Sequence, residues 1–130
     1  MPLSDMPIEP KGELMHRIEF EIMPSLDQDE PYNAVRFYKE FEDDCDTAEG
    51  KYKYFRLNIE GIASKVQYDV HHKPSIELSD KVNGKCYVLC VFNDPAILDK
   101  VKPGEQVTIR GNYLAASITY GIIIKNSEKL

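Results

Sequence analysis

The sequence predicts a mainly β protein: a five-stranded barrel with a short helix between its third and fourth strands, and an additional N-terminal amphipathic helix. Two observations carry this prediction. Residues 32–50 repeat apolar side chains with helical spacing, and most of the chain after Gly50 alternates with the period of a strand. The length of 130 residues, 42% hydrophobic and 29% charged, suits one ordinary globular domain and excludes collagen-like and fully disordered chains.

The single domain is predicted over residues 31–130, after a flexible N-terminal segment at residues 1–30. Three prolines and a glycine among the first 12 residues are typical of a chain terminus without regular structure. Residues 17–22 alternate polar and apolar side chains. Two interpretations stay open for them: a short half-buried strand, or accidental alternation in a disordered lead-in.

A helix is predicted over residues 32–50. Ser25, Asp27 and Asp29 offer capping oxygens, Pro31 suits a first helical position, and Gly50 indicates the end. The opposite face is acidic, which fits a solvated surface or a docking site for a basic partner. The apolar stripe expected to pack on the barrel consists of Ala34, Tyr38, Phe41, Cys45, Ala48 and Tyr52.

Five strands are predicted after this helix. The first alternates from Tyr54 and contains Gly61 where a strongly curved strand needs a glycine. Asn93-Asp94-Pro95 caps a short helix at 96–101, between the third and fourth strands. The later strands are Ser75–Ser79, Lys85–Phe92, which looks buried on both faces, Gln106–Tyr113 and Thr119–Lys125. This order of elements describes a Greek-key barrel of the oligonucleotide/oligosaccharide-binding type, the OB-fold.

Several runs of residues carry a family resemblance. The most specific is Lys102-Pro-Gly-Glu-Gln-Val-Thr-Ile-Arg-Gly111, which follows Val88–Asp94 and precedes Gly121–Asn126. Over roughly residues 34–130 the chain resembles the tRNA-anti-like family of bacterial OB-fold proteins. The resemblance implies an OB barrel with an N-terminal helix and, by analogy with anticodon-binding barrels, nucleic-acid binding. It implies no set of catalytic residues.

An OB-fold binds ligands on the face of its second and third strands and in the loops joining strands 1–2 and 4–5. Lys and Arg side chains there would hold phosphates, and aromatic rings would stack on bases. The same side chains also fit a second interpretation, in which tyrosines pack and cations serve solubility. The candidate ligand-binding residues are Tyr54, Arg56, His71, His72, Lys73, Tyr87, Arg110 and Tyr113.

The charge is distributed unevenly along the chain. The net charge is −6, but residues 1–50 carry 4 basic side chains against 14 carboxylates, and the remainder carries 12 against 8. An acidic protein repels phosphates, but the C-terminal part is net positive and does not. Two functions therefore stay open: binding of single-stranded DNA or RNA, and a protein interaction or inhibitory module that uses the barrel or the acidic helix face.

The sequence predicts no enzyme, no cofactor and no metal site. It lacks a glycine-rich nucleotide loop, a Walker loop and a nucleophile elbow. Cys45, Cys86 and Cys90 form no CxxC pair, and we expect them to be reduced core residues. His71 and His72 would point to opposite faces of an extended chain, so they do not converge on a metal.

The sequence predicts a protein without a membrane-spanning segment. No run approaches 18 apolar residues, the length that membrane crossing requires. The first residues also lack the basic and apolar pattern of a secretory signal. A cytoplasmic location is the expectation.

Overall fold

A computed structural model describes residues 23–117 and 119–130 of the chain. The elements in chain order are β1 (Tyr32–Asn33), α1 (Ala34–Asp43), α2 (Cys45–Tyr52), β2 (Arg56–Tyr68), β3 (Pro74–Ser79), β4 (Val88–Val91), a 3-10 helix (Pro95–Asp99), β5 (Gln106–Ser117) and β6 (Gly121–Lys129). The strand interpretation of residues 17–22 lies outside the described residues.

The five long strands close into a barrel. Their order in the sheet is β2-β3-β4-β6-β5, and β5 pairs back with β2. Within the barrel β4 and β6 run parallel, and the other neighbouring strands are antiparallel. The predicted mainly β class with a closed five-stranded, OB-like barrel is confirmed.

The strand β2 is long enough to bond to two barrel neighbours. Its first half, Arg56–Ile62, pairs with β5, and its second half, Ile62–Tyr68, pairs with β3. The pairing with β3 shifts register between Ala63 and Lys65, as a β-bulge does, and bulges bend a strand. Gly61 precedes this bend, where a Cβ atom would lie 3.2 Å from the Cβ of Ala34 and of Leu78. A glycine therefore lets α1 approach the barrel closely.

The predicted single helix over 32–50 is wrong, because Asp44 interrupts it. Asp44 has extended backbone angles (φ −159°, ψ 90°). It ends α1 by donating its N–H to the Glu40 carbonyl, and it begins α2 by accepting from the Thr47 N–H and hydroxyl. The hydrogen bonds from Thr47 hold the pKa of Asp44 below its ordinary value. The break also turns Cys45 to solvent, so its expected place in the apolar stripe is wrong.

Both ends of the helical region differ from the prediction. The first helix begins after Asn33, whose side-chain oxygen accepts the N–H groups of Val35 and Arg36, and the expected caps at residues 25–29 lie too early. Gly50 does not end the second helix, which continues to Tyr52. Helix periodicity alone does not define where a helix begins and ends. Tyr32 and Asn33, at the start of the predicted helix, form β1 instead.

The two helices close one end of the barrel. Phe37 and Phe41 of α1 are buried in the same hydrophobic core as the inward side chains of the strands. Their rings meet Tyr52, at 4.9 Å between centroids for Phe37, and Phe41 stacks on Tyr113 at 5.7 Å. The helices thus contribute core that the barrel alone would lack.

Residues 24–28 lie along β2. The Arg56 N–H donates to the Pro24 carbonyl at 2.8 Å, and the Leu26 N–H donates to the Arg56 carbonyl at 2.9 Å. The Gln28 side chain bonds both backbone groups of Asn58. The predicted flexibility of residues 1–30 is therefore wrong for this stretch, because it is bound by the edge of β2 that faces away from β5.

The later elements follow the prediction with shifted bounds. All four residues of β4 are buried, as two-sided burial requires. The short helix is a 3-10 helix, and Asp94 caps it by accepting the Ala96 N–H at 2.9 Å. The strands β5 and β6 each extend four residues beyond their predicted ends, to Ser117 and Lys129.

The described cysteines are all free, but they differ in burial. Cys90 is fully buried and Cys86 is partly buried, as expected of core residues, whereas Cys45 is exposed. Burial raises the pKa of Cys86 to about 12 and that of Cys90 well above its ordinary value. These two thiols stay protonated at neutral pH, which makes them poor nucleophiles.

Replacing Gly50 by alanine tests the extent of α2. Gly50 lies inside a helix with nothing within 4 Å of an added Cβ, so Gly50→Ala should raise the free energy of unfolding by about 0.5–1 kcal/mol. Urea denaturation measures the change. Gly104→Ala is the control. That site is equally open, but its φ of +96° is unfavourable for alanine, so this variant should be less stable than the unmodified chain. A loss of stability in both variants would contradict a helical Gly50.

Candidate functional site

The outer surface of β3 and β4 is left open by the helices. Ile76, Leu78, Val88 and Cys90 point into the core and are fully buried, so the alternate positions Glu77 and Leu89 face outward. A pocket of about 200 Å³ lies over these two residues, and among the described residues no member of α1 or α2 lines it. We call this surface the β3–β4 face; its pocket is lined by Gln67, Tyr68, Asp69, Val70, Glu77, Leu89 and Tyr120.

Exposed apolar side chains surround this pocket. Tyr68 at the end of β2 is 51% exposed, Val70 in the following loop is 65% exposed, and Tyr120 in the β5–β6 loop is 36% exposed. Leu89 lies beneath them and is only 6% exposed. Two tyrosine rings at the rim of an apolar floor are suited to flat or apolar ligands.

The loop between β2 and β3 is held by one carboxylate. One Asp69 carboxylate oxygen accepts the N–H groups of His71 at 2.8 Å and Lys73 at 2.9 Å, and the Asp69 N–H donates to the Lys73 carbonyl. His72 takes a left-handed backbone conformation with φ +61°. His71, His72 and Lys73, which the sequence predicted, therefore come together in an ordered turn beside Tyr68.

The loop between β5 and β6 is anchored to residues just before β4. Gly121 has φ +80°, and a Cβ there would lie 2.5 Å from the Tyr87 carbonyl oxygen. The Ile122 N–H donates to that same oxygen at 3.0 Å, and the Cys86 thiol donates to the Tyr120 carbonyl at 3.2 Å. This close approach, which glycine permits, fixes the position of Tyr120 at the pocket.

The charge on the β3–β4 face is mixed. Lys65 of β2 lies directly across from Glu77 of β3 in the antiparallel pairing, and such cross-strand neighbours of opposite charge attract each other. Lys73 adds a positive charge at the edge, while the Asp69 carboxylate is engaged by its own loop. The face therefore lacks the strong negative charge of the N-terminal part of the chain.

The prediction of Tyr113 as a ligand-binding residue is wrong. Its side chain is 1% exposed, and its hydroxyl donates to a Glu49 carboxylate oxygen at 2.9 Å. Tyr113 shares the inward parity of Ile109 on β5, and the helices cover it. Burial, reinforced by the contact with Glu49, raises the pKa of Tyr113 well above its ordinary value.

Tyr87 also packs against another element, α1, and does not belong to the β3–β4 face. Its ring meets Tyr38 of α1 edge-on, with 5.3 Å between ring centroids. The Lys85 ammonium lies 4.4 Å from the Tyr38 ring and 5.5 Å from the Tyr87 ring. The expected outward orientation is wrong because residues 85–87 precede the regular strand and turn toward the helix.

Three further predicted residues lie away from the β3–β4 face. Arg56 is 4% exposed, and its guanidinium is already bonded to groups of β5 and β6. The Arg110 Nε donates to the Asn58 side-chain oxygen at 2.9 Å on the outer side of β2 and β5. Tyr54 is 52% exposed but precedes β2, with φ +74°. The predicted set is therefore divided between two sides of the barrel.

Sequence reasoning missed Tyr68, Val70, Leu89 and Tyr120. Tyr68 ends β2, beyond the bulge that interrupts the alternation of this strand, and Val70 lies in the loop that follows. Tyr120 directly precedes Gly121, and an aromatic residue beside a turn glycine is a signal that was available. Leu89 belongs to the strand predicted to be buried on both faces, and its neighbours in the pocket come from distant loops.

Two general features of the described residues bear on function. Within residues 23–117 and 119–130, no three His, Cys, Asp or Glu side chains are grouped to hold a metal ion. The helices in this part of the chain are also too short or too polar to cross a membrane.

Comparison with known proteins identifies relatives of this fold. The tRNA_anti-like family model matches residues 16–129. Among solved structures, the chain is similar to a "putative nucleic acid-binding lipoprotein" from Klebsiella pneumoniae subsp. pneumoniae MGH 78578, with a TM-score of 0.61 and 14% identity over 78% of this chain and 91% of that chain. At this identity the similarity shows the fold. No curated protein matches the chain.

Replacing Tyr113 by phenylalanine separates packing from binding. Tyr113→Phe keeps the ring against Phe41 but removes the hydrogen bond to Glu49, so the free energy of unfolding should fall by about 1 kcal/mol. Urea denaturation measures this change. Affinity for any ligand of the β3–β4 face should stay as in the unmodified chain, and a selective loss of affinity would contradict the packing role.

Proposed function

Because the chain belongs to the tRNA_anti-like family, we propose that its β3–β4 face binds single-stranded nucleic acid. The observation that carries the proposal is the pair of exposed tyrosines, Tyr68 and Tyr120, on the rim of an apolar pocket that the helices leave open. The name of the Klebsiella pneumoniae protein, which shares the fold, supports the same ligand class.

The lining of the β3–β4 pocket is better suited to bind nucleobases than phosphate groups. A base that stacks on an exposed aromatic ring gains about 1–3 kcal/mol, and Leu89 offers an apolar floor for a second contact. Lys65 lies across from Glu77 of the lining, and the backbone N–H groups of the two loop histidines and Lys73 bond to Asp69 of the lining, so these side chains are candidates to contact the phosphate backbone. Since Glu77 offsets part of this charge, we expect moderate affinity that depends on stacking.

The acidic helices need not block such a ligand. Their buried residues face the barrel end, and the pocket of the β3–β4 face is lined by strand and loop residues. Exposed charges are screened over about 8 Å at physiological salt, so carboxylates on a different surface weaken binding only partly.

We infer further that the barrel has Greek-key OB topology and acts as a binding module without a catalytic step. This inference rests on the order of strands and on the raised pKa values of Cys86 and Cys90, which keep these two thiols protonated. The cytoplasm is the proposed location.

A protein partner is the second candidate function. A groove of about 600 Å³ beside α1 is lined by five carboxylates, from Asp27, Asp29, Glu30, Glu40 and Glu60, together with Arg36. This charge suits a basic segment of another protein and repels a nucleic acid.

Fluorescence anisotropy with labelled mixed-sequence single-stranded DNA and RNA tests the first proposal. The variant with Tyr68→Ala and Tyr120→Ala should bind at least about tenfold more weakly, since it loses two stacking surfaces. Tyr54→Ala is the matched control: Tyr54 is as exposed as Tyr68, at 52% and 51%, but lies outside the pocket. The full chain is used, because removing α1 and α2 would uncover the core.

The salt dependence and the Tyr54→Ala control decide whether nucleic acid binds at the β3–β4 face. Affinity should fall between about 50 mM and about 200 mM salt, as phosphate contacts require. Equal losses in the Tyr54 and the double variant would place binding elsewhere on the barrel. No binding by the folded full chain at about 50 µM would overturn the proposal and turn the search to a protein partner of the acidic groove.

A further inference from the structure

A second pocket lies outside the β3–β4 face. It has a volume of about 640 Å³ and is formed by the end of β6, the 3-10 helix region and Arg56. Its lining shares no residue with the pocket of the β3–β4 face. Small-molecule sites occupy about 300–1,000 Å³, so this cavity has a suitable size.

The wall of this pocket contains a buried arginine. Arg56 is 4% exposed, and one of its terminal nitrogens donates to the Asn112 side-chain oxygen at 3.0 Å and to the Asn126 carbonyl at 3.1 Å. The other terminal nitrogen donates to a Glu128 carboxylate oxygen at 3.0 Å. Two neutral acceptors therefore hold the guanidinium in place independently of its anionic partner.

The ion pair between Arg56 and Glu128 is asymmetric. The Arg56 side chain is 4% exposed, whereas the Glu128 side chain is 56% exposed. A half-exposed carboxylate regains hydration at little cost when it moves away, but a buried guanidinium without an anion is costly. An external anion that takes the place of Glu128 would satisfy Arg56 without moving it.

The rest of the lining indicates which anion fits. Lys100 and Lys129 are exposed cations of the same pocket. The Asp94 carboxylate, also in the lining, accepts the Ala96 N–H as a helix cap. Three cations against two carboxylates, Asp94 and Glu128, leave a net positive charge that favours an anion, and Arg pairs with phosphate through two parallel hydrogen bonds.

The pocket also has an apolar side. Phe92 and Ile97 contribute to its wall, and both belong to the hydrophobic core. A flat ring is suited to such a wall, and the polar groups of Asn93 lie beside it. We propose that this pocket binds a phosphate monoester carried by a nucleoside, and that Glu128 occupies the phosphate position until the ligand displaces it.

The ligand has two sources, a free mononucleotide and the terminal phosphate of an oligonucleotide. Neither source requires the β3–β4 face, so the two proposals succeed or fail separately. Titration of the ¹⁵N-labelled full chain with adenosine 5′-monophosphate should shift the amide signals of Asn93, Lys100 and Lys129. Inorganic phosphate, which has no base to stack on the tyrosines, should shift the same three signals and leave those of Tyr68 and Val70 unchanged.

Removing the competing carboxylate gives the sharpest test. Glu128→Gln should bind adenosine 5′-monophosphate at least about threefold more tightly, since the ligand no longer displaces an anion, whereas Lys100→Gln should bind about threefold more weakly. Glu77→Gln, a carboxylate on the β3–β4 face, is the matched control and should leave affinity unchanged. If Glu128 were only structural, its replacement would leave affinity the same or lower it, and the proposal would be overturned.

Two further measurements distinguish a free mononucleotide from the end of an oligonucleotide and define the result that overturns the proposal. An oligonucleotide with a 5′-phosphate that shifts the same amides more strongly than its 5′-hydroxyl form would assign the site to strand ends, and equal effects would assign it to free nucleotides. Lys100 is exposed, so its variant should stay folded even if Glu128→Gln does not. No shift in the folded unmodified chain at about 10 mM adenosine 5′-monophosphate or inorganic phosphate overturns the proposal.

Discussion

The barrel depends on the double pairing of β2, which bonds to β5 along its first half and to β3 along its second. A strand that serves two barrel neighbours must bend, and the bulge at Ala63–Lys65 provides the bend. The bend brings Gly61 under Ala34, so the contact that admits α1 and the closure of the sheet depend on the same few residues. The helices and the barrel consequently form one core rather than two packed units.

Closure of the barrel decides which surfaces remain for ligands. The paired helices cover one end, the 3-10 helix packs against β3, and residues 24–28 bond to β2 beside its pairing with β5. The concave regions that stay open include the groove beside α1, the β3–β4 face, and the cavity where β6 continues past the end of β4. At the β3–β4 face the end of β2 and the β5–β6 loop form the rim, and at the cavity the end of β6 does, so the candidate sites follow from strand lengths and loop anchors.

The sequence predicts the local parts of this fold well and the distant contacts poorly. The alternation after Gly50, the cap at Asp94 and the glycine at the bend are local signals, and the structure contains each of them. Asp44 was missed because the apolar spacing continues on both sides of the break. Arg56 was misjudged because its acceptors, Asn112 and Asn126, come from 56 and 70 residues away. Solvent exposure of a strand residue depends on which segments cover its outer side, and periodicity does not contain that information.

Net charge is a poor guide to what this barrel binds. The chain carries −6 overall, but five of its carboxylates line the groove beside α1, a different surface from either open pocket. Screening confines each charge to its own neighbourhood, about 8 Å at physiological salt. A ligand at the β3–β4 face therefore meets the Lys65–Glu77 pair and the loop cations, and a ligand at the second cavity meets Arg56 and its two lysines. Because the acidic groove and the cationic cavity share no lining residue, one chain is able to present opposite charges to different partners.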